Sequence, residues 1–143
     1  MFVNLLLGTG LIVLTSVVHT IGLIALTHSV SHITDRLRLD GRRNRIVAMI
    51  ATVLGLFAVL TVEVWLWAVA HLALGNLPDF HSALYFSTVT FSTVGYGDVV
   101  PTHEWRLFSA LEGINGFLLI GWSTAYLIAA GIRVGPFKAG EHF

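Results

Sequence analysis

The stretch Thr93-Val94-Gly95-Tyr96-Gly97-Asp98 decides how the rest of the chain is read. Two glycines alternate with larger residues, whereas most other glycines are scattered through apolar runs. Glycine reaches backbone angles that a Cβ disfavours, so this alternation can turn successive carbonyl oxygens to one side. Four copies around an axis would stack rings of carbonyl dipoles and add a ring of Thr93 hydroxyls. Rings of that kind can replace the water around a bare monovalent cation.

The chain around this string is apolar: of its 143 residues 55% are hydrophobic and 11% charged, with a mean hydropathy of +0.81. Soluble domains carry about 25% charged residues, so this chain cannot clothe a water-facing surface and is expected to be an all-α membrane protein. The formal net charge is zero, which says nothing about partners, and no nucleic acid is expected among them. There is no cysteine, which excludes disulfides and thiolate metal sites. The histidines form no HExxH pattern and no Gly-rich phosphate loop is present, so neither catalysis nor an organic cofactor is expected.

Residues 1–34 contain no Asp, Glu, Lys or Arg before Asp35. That run exceeds the roughly 20 residues needed to cross a bilayer core, and without a basic start or a cleavage site it reads as a retained spanning helix. Its second half is rich in Thr, Ser and His, and this polar face is expected to turn toward protein or the interface. Residues 35–45 form a basic loop with Arg36, Arg38, Arg42, Arg43 and Arg45. The excess of arginine places that loop in the cytoplasm, hence the N-terminus outside, and makes anionic lipid headgroups candidate partners. Residues 46–74 read as a second, outer helix, with Trp65, Trp67 and His71 toward its far end. Gly75 and Pro78 stop it. Residues 81–92 are too short to span and suit a re-entrant helix leading into the string at 93–98. Its carboxyl end would favour a cation. Residues 106–132 read as a third spanning helix, closed by Arg133 and Lys138 on the cytoplasmic side, with residues 134–143 as a short cytoplasmic tail. No internal repeat is present, so one chain supplies one loop.

Thr93-Val94-Gly95-Tyr96-Gly97-Asp98 resembles the selectivity filter of potassium channels, and residues 46–133 resemble the pore module of two-transmembrane members. The run Ala83-Leu84-Tyr85-Phe86-Ser87-Thr88-Val89-Thr90-Phe91-Ser92 before it, Trp105-Arg106-Leu107 and Gly121-Trp122-Ser123-Thr124 are similar to small bacterial channels. The resemblance implies a homotetrameric, potassium-selective channel of the cell membrane, with K+ held by backbone oxygens of Thr93, Val94, Gly95 and Tyr96 and by the Thr93 hydroxyl. Gly97 completes the filter. The family's outer acid matches Asp98, but Val89 stands where a bacterial pore-only channel has glutamate, and Tyr85 where it has tryptophan. Tyr85 is therefore the candidate partner of Asp98. With one residue deleted around Trp105-Arg106, the family's inner-helix bend falls at Gly116. Phe117, Ile120 and Thr124 then line a cavity, and Ile128 and Ile132 approach a constriction. Alternatively, Gly116 and Gly121 only permit close helix packing. A less selective channel and a transporter subunit are the competing readings, disfavoured by Tyr96 and by the single intact loop.

Several polar residues lie inside the spans. His19 and Glu63 sit at similar depths at 1.5 Å per residue, and an intramembrane acid needs a partner. They are the candidate pair docking the first helix onto the pore module, with a proton-sensitive control as the sharper form. Glu112 and Asn115 share a helical face, directed either into the cavity or onto the back of the pore helix or a neighbouring subunit. His28 and His32 lack further ligands for a metal and read as an interfacial polar face. His81, His103, Asp79 and Glu104 read as a solvated outer rim.

Overall fold

The computed structural model describes residues 1–37 and 41–134, without the side chains of 34–37, 42 and 134. The expectations for Arg36, Arg38, Arg42 and residues 135–143 lie outside the described residues. Four α-helices follow in order: α1 (Phe2–Leu37), α2 (Gly41–Ala73), α3 (Phe80–Phe91) and α4 (Arg106–Val134), the last preceded by a 3₁₀ turn at His103–Trp105. Three of them are long and apolar enough to cross a membrane: 2–33, 43–73 and 103–133. The 12 residues of α3 rise only about 18 Å, short of the bilayer core.

The helices invade the expected loop at 35–45 from both sides, with α1 running through Leu37 and α2 starting at Gly41. Arginine is a good helix former, so a helix can continue past the bilayer, and apolar character marks the span and not the end of the helix. The polar half of α1 divides between protein-facing and outward positions. Thr15 and His19 are buried, but Thr20, Thr27, Ser29 and Ser31 are exposed in the single chain. The hydroxyls of Thr15, Ser16, Thr20, Thr27 and Ser29 bond carbonyls four residues back, at 2.7–2.9 Å. Such back-bonding satisfies a hydroxyl within its own helix, so Thr20 and Ser29 can face outward.

Close approach fixes how α1 lies on the other helices. A Cβ at Gly22 would come within 2.7 Å of Val59 on α2, and one at Gly55 would collide with Leu26 of α1. Each helix thus seats a side chain of the other on a bare backbone, as small residues allow at membrane depth. α1 also packs on α4, where Gly8 makes room for Leu111. A buried cluster of Trp67, Phe91, Phe108 and Leu119 joins α2, α3 and α4, and Leu11 and Ile12 of α1 rest against it.

Each break has a local cause. Past α2, Gly75 takes φ +66°. Its N–H bonds Leu72 O at 3.0 Å and Asn76 N–H bonds His71 O at 3.0 Å, a Schellman cap that turns the chain out of the helix. Asp79 then starts α3 as its N-cap, accepting from Ser82 N–H at 2.9 Å and Ser82 Oγ at 2.7 Å. These bonds hold the Asp79 carboxyl below the usual carboxylate range, chiefly through the Ser82 backbone N–H. Asp79 is therefore a helix cap and more than a solvated rim residue.

Candidate functional site

The end of α3 and the string after it form one hydrogen-bonded unit. Thr93 N–H donates to Thr90 O at 3.0 Å, Val94 N–H to Val89 O at 3.0 Å and Gly95 N–H to Val89 O at 3.2 Å. The first three donors of the string are thus spent on carbonyls that a helix end leaves orphaned. Positive φ recurs at alternate residues: 62° at Thr93, 59° at Gly95 and 75° at Gly97. Among the described residues no hydrogen bond goes to the carbonyl oxygens of Thr93, Val94, Gly95 or Tyr96. Four consecutive acceptors without a protein donor, on a backbone whose first three donors are bonded to α3, can coordinate a cation. Val94 and Tyr96 remain 54% and 73% exposed in the single chain, which for large apolar side chains calls for a covering surface.

Tyr85 and Asp98 meet across the string, with the hydroxyl donating to Oδ2 at 2.7 Å. This bond holds the Asp98 carboxyl below the usual range and raises the Tyr85 hydroxyl above its own. Behind the string, a Cβ on Gly116 would run into the carbonyl of Phe91, while α4 continues unbroken through Gly116 to Val134. Gly116 is therefore where α4 rests on the last residue of α3, which favours the packing reading over a bend. Gly121 has no atom within 4 Å of where its Cβ would lie. Phe117, Thr124, Ile128 and Ile132 are exposed in the single chain and Ile120 is half-buried. These residues recur at helical spacing on α4, and Thr124 Oγ1 bonds back to Ile120 O at 2.9 Å.

Two buried carboxylate–histidine pairs brace this assembly. His19 Nδ1 lies 2.8 Å from Glu63 Oε1 with both side chains fully buried, and the His19 ring packs on Trp122 of α4 with centroids 5.1 Å apart. The second pair escaped sequence reasoning. His71 Nε2 lies 2.8 Å from Glu112 Oε2, again fully buried. Asn76 Oδ1 accepts from Thr102 N–H at 3.0 Å, which turns Nδ2 toward His71 Nδ1, 2.6 Å away. That network makes Nδ1 the acceptor and leaves the ring proton on Nε2, facing Glu112. A continuous chain thus runs from Thr102, just past the string, through Asn76 and His71 to α4. The signal was present. Both His71 and Glu112 lie within about two turns of helix ends on the same side, so the depth matching that paired His19 with Glu63 applies to them as well.

Asn115 does not face a cavity either; its amide donates to Thr15 Oγ1 of α1 at 2.8 Å. Glu112 and Asn115 are both buried within the single chain, bonded to α2 and α1 instead of a pore lumen. Further contacts tie α1 along its length: Asn4 Nδ2 donates to Glu104 O at 2.6 Å, and Thr27 and Tyr126 hydroxyls meet at 2.7 Å. His28 and His32 are exposed, and no group of three or more His, Cys, Asp or Glu able to hold a metal occurs among the described residues.

Three helices fit to cross a membrane, with a short fourth ending in an oxygen-lined turn between the last two, define a channel-type membrane protein. A model of the ion channel family matches residues 57–133, just over half of the chain, and the protein belongs to that family. Neither the curated proteins nor the solved structures compared with the chain give a match. The family match begins inside α2 and ends with α4, so α1 lies outside it.

Proposed function

We propose that the chain is one subunit of a homotetrameric, potassium-selective channel, conducting K+ passively across a cell membrane with the N-terminus outside. The observation that carries this reading is the set of four donor-free carbonyls from Thr93 to Tyr96 on a backbone of alternating hand. Contributed by four chains, they form oxygen rings that offset the dehydration of an alkali cation. The Thr93 hydroxyl adds a further ring at the inner end. The likeness of the string to potassium filters supplies the choice of ion, and the exposed Val94 and Tyr96 supply the reason for more than one chain. Assembly as a closed ring is the usual form for a homo-oligomer that must meet on an axis. The hydrogen bond from Tyr85 to Asp98 stands where the family uses a buried carboxyl pair and holds the outer end of the filter.

Flux into vesicles tests this. Protein reconstituted into liposomes loaded with potassium salt is expected to build an inside-negative potential on dilution into sodium salt, read with a voltage-sensitive dye. Gly95→Ala, which forces a Cβ onto a φ of 59° at a cost of about 1–2 kcal/mol per chain, is expected to abolish the signal while leaving helical content intact. An unchanged signal in Gly95→Ala would remove the filter from the conduction path.

A further inference from the structure

His71 of α2 is fully buried against α3 and α4, and both nitrogens of its ring are engaged. Nε2 lies 2.8 Å from Glu112 Oε2, and Nδ1 lies 2.6 Å from Asn76 Nδ2. Asn76 is not free to turn its amide over. Its Oδ1 accepts from the Thr102 N–H at 3.0 Å and from Thr102 Oγ1 at 3.3 Å, so a turned amide would set NH2 against a backbone N–H. Asn76 therefore offers His71 a donor, and Nδ1 must keep its lone pair. The other rings around His71 are Trp67 of α2, Phe86 of α3 and Phe108 of α4, and Leu11 and Ile12 of α1 pack on the cluster that holds Trp67 and Phe108. Among these neighbours Glu112 is the titratable one, and Ser87 of α3 is the other polar side chain turned to it. At the far end of the chain of contacts Thr102 is exposed, followed by the exposed His103 and Glu104. One amide side chain thus separates the buried ring from the surface.

Each member has an ordinary explanation taken alone. A histidine satisfies a buried acid, and Asn76 ends α2, its N–H bonded to His71 O. Neither explanation needs the second ring nitrogen to be an acceptor, or ties it to a residue a few positions past the string. We propose that His71 is a positioning residue for the segment leaving the filter: with Nδ1 bare it holds Thr102 through Asn76, and a proton on Nδ1 releases Thr102. The step is the uptake of one proton, with no other covalent change. It turns Nδ1 from acceptor to donor, facing the amide donor of Asn76. Either the contact between them breaks and Asn76 loses its anchor, or the amide turns over and its NH2 meets the Thr102 N–H. Both outcomes leave a polar group of this chain without its partner, which is costly where water is excluded. Histidine is the side chain that exchanges a proton in the physiological range, and the Glu112 carboxyl faces the charge that forms on the ring. For its effect on conduction the inference rests on the channel reading; for the hydrogen bonds it does not.

The test uses the full chain in detergent micelles, isotope-labelled in histidine rings and backbone amides for NMR. The His71 ring is assigned by the signals lost in His71→Gln. At neutral pH it is expected as the neutral tautomer with its proton on Nε2, and the Thr102 amide is expected to be protected from exchange. On acidification the Thr102 protection factor, corrected for intrinsic exchange, should fall about tenfold, as for one lost buried hydrogen bond. That fall should follow the conversion of the His71 ring to imidazolium. Glutamine carries a donor and an acceptor and takes up no proton, so His71→Gln should keep Thr102 protected in acid. Asn76→Asp offers acceptors to both sides and should hold the protonated ring, again keeping Thr102 protected. His103→Gln should keep the profile of the parent. In potassium-loaded liposomes at neutral pH, flux should fall several-fold in His71→Leu and stay near the parent's in His71→Gln. A proton on Nδ1 at neutral pH would overturn the proposal, as would a ring that takes up no proton before the chain unfolds. So would Thr102 protection that ignores the ring's titration, an acid-induced loss in His71→Gln or Asn76→Asp as large as the parent's, a shifted profile in His103→Gln, or undiminished flux in His71→Leu. A parent without potassium flux would instead remove the channel reading, and the Thr102 amide would still decide the role of His71.

Discussion

Thr93 holds a φ of 62° although it is β-branched, a conformation that costs roughly 1–2 kcal/mol and is rare for such side chains. It persists because the N–H groups of Thr93, Val94 and Gly95 are tied to carbonyls of α3, so the strain sits where four carbonyls must be released together. Asp98 is held in the same way, by one bond from Tyr85. Tyr85→Phe deletes that bond without changing shape, and the expected outcome is intact assembly with markedly shorter channel bursts, measured in single-channel records. The sign of the pH effect follows from the carboxyl. Its pKa in the folded chain is lowered, with the Tyr85 bond the largest cause, so the ionised form is retained at and above the ordinary carboxylate range. Its contribution is lost only as external pH falls through the lowered value. Bursts should therefore be insensitive to this group at neutral pH and shorten on strong acidification, with the acid response absent in Tyr85→Phe. The string itself was legible because it is local and short. The tilt of Thr93 into positive φ was not, since nothing in a threonine announces it.

α1 is attached by polar contacts spaced along its length, from Asn4 to Thr27, and the His19–Glu63 pair among them is fully buried. Removing one member of a buried pair leaves the other without a partner, at a cost of about 3–5 kcal/mol. His19→Ala should lower the thermal midpoint in detergent accordingly, and His19→Leu/Glu63→Leu should regain most of the loss, because an apolar replacement of both strands no charge. Failure of the double variant to recover would mean that the pair contributes more than mutual satisfaction. At the junction of α3 and α4, Gly116→Ala drives a methyl group into the Phe91 carbonyl, an overpacking worth about 1–3 kcal/mol. Gly121→Ala, with open space in the single chain, should be near neutral. The contrast is read by thermal unfolding of the two variants side by side. Equal effects would favour a hinge or an intersubunit role for both. Element positions were legible from hydropathy, and the His19–Glu63 contact from matched depth. The same depth matching reaches His71 and Glu112, but not Asn76, which lies in the turn after α2 and resembles a cap residue.

At the scale of the molecule, the three spans and the short α3 follow from composition, and the ion channel family covers α2 from residue 57 through α4. The polar chain from Thr102 to Glu112 and the seat of α4 on Phe91 tie the segment around the string to α2 and α4. A single chain leaves apolar side chains bare on every spanning helix, and among them Val94, Tyr96, Phe117, Ile128 and Ile132 lie on the string and on α4, the parts a central pore would bring together. What folding one chain does not disclose in its sequence is the partner for those surfaces, since an interface between copies leaves no pattern distinct from a lipid-facing one. The decisive measurement is the reversal potential of purified protein in a planar bilayer with a tenfold potassium gradient and an opposing sodium gradient. A potassium-selective pore should reverse near the potassium equilibrium potential, about 59 mV in magnitude for a univalent ion. A reversal near zero, with sodium carried as freely as potassium, would contradict the reading.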